Sequence, residues 1–221
     1  MYGVRLRIWG DYACFTRPEM KSERVSYDVP TPSAIRGILE AVHWKPAIVW
    51  RVHRVHVMRP VRFENLRRNE LGGKIALPSV KTAMKKGRGE IQTFIEDDRQ
   101  QRAAMLLKDV EYLVEASFEL SGLAGPDDNE GKHLDIFNRR LDRGQVYQRP
   151  CLGCREFPAF VERAGEIGPS QLADLPEGNR DLGWMLYDLD YENGCQPMFF
   201  KARLDKGIVT VPPHDSAEVK R

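Results

Sequence analysis

Cysteine is scarce in this chain, and long apolar runs are missing. Four cysteines among 221 residues are too few for a fold that depends on disulfides. No stretch approaches the roughly 20 apolar residues that a membrane-spanning helix needs. The first nine residues alternate from the start and lack the apolar block of a secretory signal. With no internal repeat or low-complexity tract either, the sequence predicts a globular, cytoplasmic protein without a membrane partner.

Net charge is also small, at +2, but it is unevenly distributed. Residues 51–89 contain 11 basic and 2 acidic side chains, whereas residues 90–221 contain 16 and 25. A segment of +9 is typical of a surface that contacts a phosphate backbone, and equally of a solvated basic loop. The acidic remainder argues against general affinity for nucleic acid.

The sequence lacks a complete set of ligands for a metal site. Cys151 and Cys154 have the spacing of zinc ligands, but no second CxxC or HxxxH supplies the remaining two. We therefore expect both cysteines to be packing residues, and we predict neither a metal site nor a cofactor.

The first strand and helix are clear in the hydrophobic pattern. Apolar residues at 4, 6 and 8 alternate with Arg5, Arg7 and Trp9. An open face with two arginines and an indole could stack on RNA, or the indole could simply cover the sheet edge. Thr31 is a suitable helix cap before the apolar stripe at 35, 38, 39 and 42, and His43 stands at the end of that helix.

The later segments complete an α+β pattern. Strands are predicted at 47–58, 108–120 and 152–160, with a helix after Lys132 and His133 that Gly144 ends. The order β-α-β-β-α-β is that of ferredoxin-like and RNA-recognition-motif-like folds. We predict this domain at 1–163, with a basic loop or hairpin inserted at about 59–107. Residues 164–221 are predicted to form a small antiparallel β domain.

A lysine and two histidines are the candidate catalytic group. Lys132 and His133 follow the turn-forming stretch 124–131 and open a helix, whose first N–H groups favour anions. In a βαββαβ fold the two helices are antiparallel, so His43 at the end of the first should lie near this pair. A solvated Lys-His surface pair is the alternative interpretation of the same stretch.

Several ordered stretches resemble one known family, the CRISPR-associated Cas family five in its subtype I-C (Dvulg) form. They are W-G-D-Y-A-C-F (9–15), S-Y-D-V-P-T-P-S-A-I-R-G-I-L-E (26–40), H-W-K-P (43–46), V-M-R-P (57–60), N-E-G-K-H (129–133), L-G-C-R-E-F (152–157) and E-N-G (192–194). Their order along nearly the whole chain makes the resemblance specific.

The resemblance implies a metal-independent endoribonuclease that cuts CRISPR repeat precursor RNA. It also implies that the protein then stays on the 5′ handle of the guide RNA, beside the backbone and large subunits of a type I-C surveillance complex. Its catalytic group falls on His43, Lys132 and His133, although members of the family can carry tyrosine at the position of His43. The alternatives are a non-catalytic subunit that caps the guide RNA and a general RNA-binding module.

For the chemistry we expect Lys132 to stabilise charge on the phosphate and the two histidines to exchange protons. The helix N-terminus should keep His133 neutral, as a base, and the helix C-terminus should keep His43 charged, as an acid. The basic insert could contact precursor RNA, guide RNA or target DNA. The expected RNA-binding residues are Arg5, Arg7, Trp9, Arg36, Lys45, Arg51, Arg54, Arg67, Arg68, Lys85, Lys86 and Arg88.

Overall fold

The computed structural model describes residues 3–20, 22–89, 91–191 and 193–221. Of the stretches discussed above, Met1, Tyr2, Lys21, Glu90 and Glu192 lie outside the described residues. The strands are β1 (Gly3–Ala13), β2 (Arg24–Val25), β3 (Ile48–Val57), β4 (Phe63–Leu71), β5 (Arg99–Leu120), β6 (Phe160–Arg163), β7 (Arg180–Asp190), β8 (Gln196–Asp205) and β9 (Ile208–Thr210). The α-helices are α1 (Pro32–Val42), α2 (Leu77–Lys86) and α3 (Glu130–Asp142).

One curled, mostly antiparallel sheet organises this mixed α/β fold. Its strands follow the order β6-β1-β5-β3-β9-β8-β7. The 22-residue β5 is its centre, because the C-terminal half pairs with β1 on one side and β3 on the other. The N-terminal half of β5 extends beyond them and pairs with β4.

Alternation and capping explain the first elements. Val4, Leu6 and Ile8 are buried on one face of β1, as their spacing predicts. Helix α1 begins where Thr31 accepts the backbone N–H of Ala34 at 3.2 Å, which confirms the predicted cap. Its predicted apolar stripe is buried. No helix of the described residues is both long and apolar enough to cross a membrane.

The segment after α3 departs from prediction. The strand expected at 152–160 is instead a loop closed by a bridge between Cys151 and Pro158, and β6 begins only at Phe160. Gly153 explains the loop, because its φ of +85° is a conformation that glycine favours and a Cβ there would lie 2.0 Å from the Cys14 carbonyl oxygen. No three histidine, cysteine, aspartate or glutamate side chains in the described ranges are grouped as metal ligands.

The insert and the C-terminal region both form regular structure. β4 and β5 pair as the two sides of a hairpin, and α2, between them in the chain, has no buried residue. Residues 63–107 are called the arm from here on. At the other end, β7, β8 and β9 pair antiparallel as predicted, but β9 also pairs with β3, so they continue the main sheet. The boundary predicted between 163 and 164 stays a prediction.

Candidate active site

Two histidines meet where α1 ends and α3 begins. His43 directly follows α1, and its backbone N–H donates to the Leu39 carbonyl at 2.9 Å. Asn129 caps α3 by accepting the backbone N–H of Lys132 at 2.9 Å. His43 Nε2 lies 3.1 Å from His133 Nδ1. The end of α1 and the first turn of α3 therefore bring the two rings into hydrogen-bonding distance.

The histidine pair is buried. His43 and His133 are 1% and 0% exposed. The Trp50 indole N–H donates to the His43 carbonyl at 2.9 Å. On the other side, Arg140 Nη1 donates to the Val42 carbonyl at 2.9 Å and lies 3.4 Å from His43 Nδ1. These contacts fix the end of α1 against β3 and α3.

A carboxylate lies between the buried pair and an exposed lysine. Asp128 Oδ1 is 3.2 Å from His133 Nε2 and 3.6 Å from Lys132 Nζ, and Oδ2 accepts the Gly125 N–H at 3.0 Å. The Gly125 N–H, with Lys132 and His133, lowers the pKa of Asp128. Lys132 Nζ donates to the Asp127 carbonyl at 3.1 Å. His133 Nε2 is close to Asp128 but has no aligned hydrogen bond among the described residues.

The expected charge of His43 is wrong. Burial lowers the pKa of its imidazole to about 4, and the positive charge of Arg140, then His133 and Lys45, acts in the same direction. The helix dipole was expected to hold this ring charged, but that effect is small beside desolvation and a guanidinium 3.4 Å away. His43 is therefore neutral at physiological pH, and its predicted role as a charged acid is corrected.

Comparison with known proteins identifies the family. The model of the CRISPR-associated Cas5 proteins (Cas_Cas5d) matches residues 3–212. The chain belongs to this Cas5 family. The protein named CRISPR pre-crRNA endoribonuclease Cas5d of Mannheimia succiniciproducens is 56% identical, over 99% of this chain and 98% of its own. The protein of the same name from Thermus thermophilus is 40% identical, over 100% and 96%.

A solved structure has the same fold as this Cas5-family protein. The crystal structure of a CRISPR-associated protein superposes with a TM-score of 0.72 at 24% identity, over 100% of this chain and 97% of the other. A second, of a functionally uncharacterized protein from Streptococcus mutans, gives a TM-score of 0.70 at 24% identity, over the same shares of the two chains. At this identity the likeness concerns the fold alone.

The arginines on the open face of the sheet in this Cas5-family protein lie against carboxylates of β5. The closest distances are 2.7 Å from Arg7 Nε to Glu111, 3.7 Å from Arg54 Nη1 to Glu115 and 3.5 Å from Arg51 Nε to Glu119. These carboxylates are four residues apart and share one face of the strand. Trp9 stacks on Phe160 at 5.7 Å between ring centroids, under the Arg7 guanidinium. Much of the expected RNA-binding charge here is thus neutralised within the protein.

Three further residues predicted to bind RNA are Arg36, Arg5 and Lys45. They differ in whether their charge is already paired within the protein. Arg36 donates to both carboxylate oxygens of Asp188 at 2.8 Å and to Glu40 at 2.7 Å, so its charge is taken up by structural ion pairs. Arg5 is exposed and lies opposite Glu115 in the strand register. Lys45 is exposed two residues after His43, and its positive charge contributes to lowering the pKa of both His43 and Asp128.

The arm differs from the open face of the sheet in having basic side chains without an ion-pair partner among the described residues. Arg67, Lys85, Lys86 and Arg88 are exposed, and none forms an ion pair with a described residue. Arg68 is the exception, since its guanidinium pairs with Glu156 and Glu70. The basic segment seen in the sequence therefore leaves unpaired positive charge mainly on the arm.

Two residues of the site, Asp128 and Arg140, were not predicted from the sequence. Asp128 was treated only as part of a turn, although its position four residues before Lys132 is a signal for an ion pair. Arg140 lies seven residues after His133, two turns along the same helix face, which buried Phe137 shares. That spacing could have indicated a cation facing the histidines.

Proposed function

We propose that this protein is a metal-independent endoribonuclease that cleaves CRISPR repeat precursor RNA. The observation that carries the proposal is the grouping of His43, His133, Asp128 and Lys132 at the facing ends of α1 and α3. Support also comes from the relative from Mannheimia succiniciproducens, whose name is that of a pre-crRNA endoribonuclease and which matches this chain almost end to end.

The proposed reaction uses the substrate's own 2′-hydroxyl as nucleophile. The 2′-oxygen bonds to phosphorus and releases its proton, while the bond from phosphorus to the 5′-oxygen breaks and that oxygen gains a proton. The products are a 2′,3′-cyclic phosphate and a 5′-hydroxyl. The step needs proton exchange and a cation for the additional charge on the phosphate, and water or a metal ion need not take part.

The positions of the side chains suggest how the work is divided. The side chain of Lys132 is 40% exposed, so its ammonium can reach a phosphate. His133 directs Nε2 toward Asp128, at the boundary between the buried pair and this lysine. Asp128 already holds an anionic oxygen close to both groups, and we propose that a phosphate oxygen of the RNA takes its place. His43 lies behind His133 and does not touch the substrate.

The burial of both imidazole rings favours one alternative, a non-catalytic subunit that caps the guide RNA. A ring with no exposed surface can exchange a proton with RNA only after the turn containing Asp127 and Asp128 moves aside. In the catalytic proposal, RNA binding moves this turn; in the alternative, the turn stays closed. The glycines at 122, 125 and 131 allow the turn several conformations.

We propose that β1, α1, β3, β5, α3 and β6 form a ferredoxin-like, RNA-recognition-motif-like unit within 1–163. Support comes from the position of β5 between β1 and β3, and from β6 on the outer side of β1. Residues 164–221 would then be the small second domain.

The proposed RNA contacts are the unpaired cations of the arm together with Lys45. We propose that the protein remains on the 5′ handle of the guide RNA as a subunit of a type I-C surveillance complex. The arm's unpaired charge supports a phosphate-backbone contact, which discriminates little between precursor RNA, guide RNA and target DNA.

Cleavage of a stem-loop repeat RNA in EDTA tests the proposal. We expect product ending in a 2′,3′-cyclic phosphate, and a loss of about 10²-fold or more in rate for Lys132→Ala and for His133→Ala. Lys201→Ala is the matched control, because Lys201 is exposed on β8 and its ion-pair partner among the described residues is Asp181 alone. Thermal unfolding checks that each variant is folded. RNA binding without cleavage would favour the capping subunit, and cleavage unaffected by both changes would refute the proposed site.

A further inference from the structure

The hydrogen bonds that link Arg140, His43 and His133 can run in only one donor-to-acceptor direction. Arg140 reaches His43 Nδ1 with Nη1 at 3.4 Å. A guanidinium has only donors and stays charged, so His43 Nδ1 must accept and must be without a proton. A neutral His43 then carries its single ring proton on Nε2.

The position of the proton on His43 determines the position of the proton on His133. His43 Nε2 is 3.1 Å from His133 Nδ1, so the proton on His43 makes His133 Nδ1 the acceptor. A neutral His133 must then carry its own proton on Nε2, the atom 3.2 Å from Asp128 Oδ1. Each imidazole thus donates toward the turn, away from Arg140.

We infer that Arg140 is a positioning residue that orients both histidines so that His133 presents an N–H, not a bare nitrogen, to the substrate phosphate. The inference rests on the proposed function and adds a residue and a direction to it. It reverses the expectation that His133 is the base. An N–H at Nε2 donates a hydrogen bond to an oxygen of the phosphate or to the leaving 5′-oxygen and so stabilises the negative charge that develops there. The opposite tautomer would place the His43 Nδ1–H against the donors of Arg140.

Among the described residues, only Arg140 and His133 are hydrogen-bonded to the His43 ring, and only Arg140 can impose this direction. Lys45 acts on His43 only through its charge, whereas Arg140 is held against the ring by its bond to the Val42 carbonyl at 2.9 Å. His133 itself can donate or accept.

The groups facing His133 fit the same direction. They are His43, Lys132 and the Asp128 carboxylate, which as an acceptor suits an N–H at Nε2. A second proton on either ring would put two N–H groups against each other along the chain from Arg140.

Nitrogen-15 NMR of the histidine side chains reads this arrangement directly. In the wild-type protein we expect both buried rings to carry a proton on Nε2 and none on Nδ1. Arg140→Met removes the donor but keeps an unbranched side chain, and should give a mixture of tautomers or the Nδ1–H form. Arg140→Lys restores a donor and should restore the wild-type tautomers. Arg139→Met is the control, because Arg139 is exposed and has no side-chain partner among the described residues.

The pH dependence of RNA cleavage is the second measurement. Arg140→Met should move the acidic limb of the cleavage profile up by about one pH unit, a tenfold loss of rate on that limb, and Arg140→Lys should not. A wild-type His133 with its proton on Nδ1, or Arg140→Met with unchanged tautomers, overturns the inference whether or not RNA is cut. The expected tautomers in a protein that does not cleave would sustain the positioning role and refute the proposed function.

Discussion

Lowering the pH should destabilise this protein through His43. The imidazole pKa is about 4 in the folded protein, against about 6.5 in an unfolded chain. Because the folded pKa is depressed, the unfolded state binds the proton first, so the folded state loses stability as pH falls below about 6.5. Each pKa unit is 1.36 kcal/mol, so the loss is about 2 kcal/mol at pH 5 and approaches about 3 kcal/mol at pH 4.

Urea denaturation at pH 8 and pH 5 measures this effect. The wild-type protein should lose about 2 kcal/mol more of its free energy of unfolding between the two pH values than His43→Gln does, because glutamine does not titrate. His53→Gln is the matched control, since His53 is exposed on β3. It should behave like the wild type.

Comparing the loss of stability in the wild type and the two variants shows whether His43 causes the pH effect. If wild type and His43→Gln lose the same stability between pH 8 and pH 5, then His43 is protonated as easily in the folded protein as in the unfolded chain. The desolvation of the pair and the influence of Arg140 would then both be misjudged. If the control loses as little as His43→Gln, the effect belongs to histidines in general.

Further predictions concern the arm, a glycine and a helix cap. Lys85→Ala with Lys86→Ala should weaken RNA binding and reduce the slope of log affinity against log salt by roughly 0.7–0.9 per lost phosphate contact, and an unchanged slope in a filter-binding titration would remove the arm from the RNA interface. Gly153→Ala should cost at least about 2 kcal/mol, because its φ is +85° and the new Cβ would lie 2.0 Å from a backbone oxygen. Gly165→Ala, with open space around it, is the control in the same urea titration and should be close to neutral. Thr31→Ala should lose about 1 kcal/mol and Thr31→Ser much less, and equal stability of the two variants would argue against the cap.

Local sequence signals predicted the elements that carry the site. The alternation of β1, the capped start of α1 and the strand at 48–57 agree with the structure, because each depends on residues within a few positions of one another. The family resemblance supplied His43 as the partner of His133, and the expected βαββαβ order put the end of the first helix near the start of the second. The strand expected at 152–160 failed because Gly153 packs against Cys14, a contact between residues far apart in the chain.

Neighbouring residues in the sequence could not show which arginines have their charge neutralised by a carboxylate. Arg7, Arg51 and Arg54 were grouped with the basic residues of the arm, although carboxylates of β5 face them across the sheet. Strand register decides which side chains stand opposite one another, and no short stretch of sequence specifies it. Arg67 and Lys85, on the arm, meet no such partner among the described residues.

By itself, the sequence determined which residues could form the site and which helix ends would hold them. Lys132 and His133 open α3, and His43 ends α1, because capping and apolar spacing are properties of neighbouring residues. The tertiary structure alone decided that both rings are buried, that His43 is neutral, and that Arg140 and Asp128 stand at opposite ends of the pair. Desolvation and hydrogen-bond direction depend on what packs around a side chain, and that is settled only when the distant segments meet.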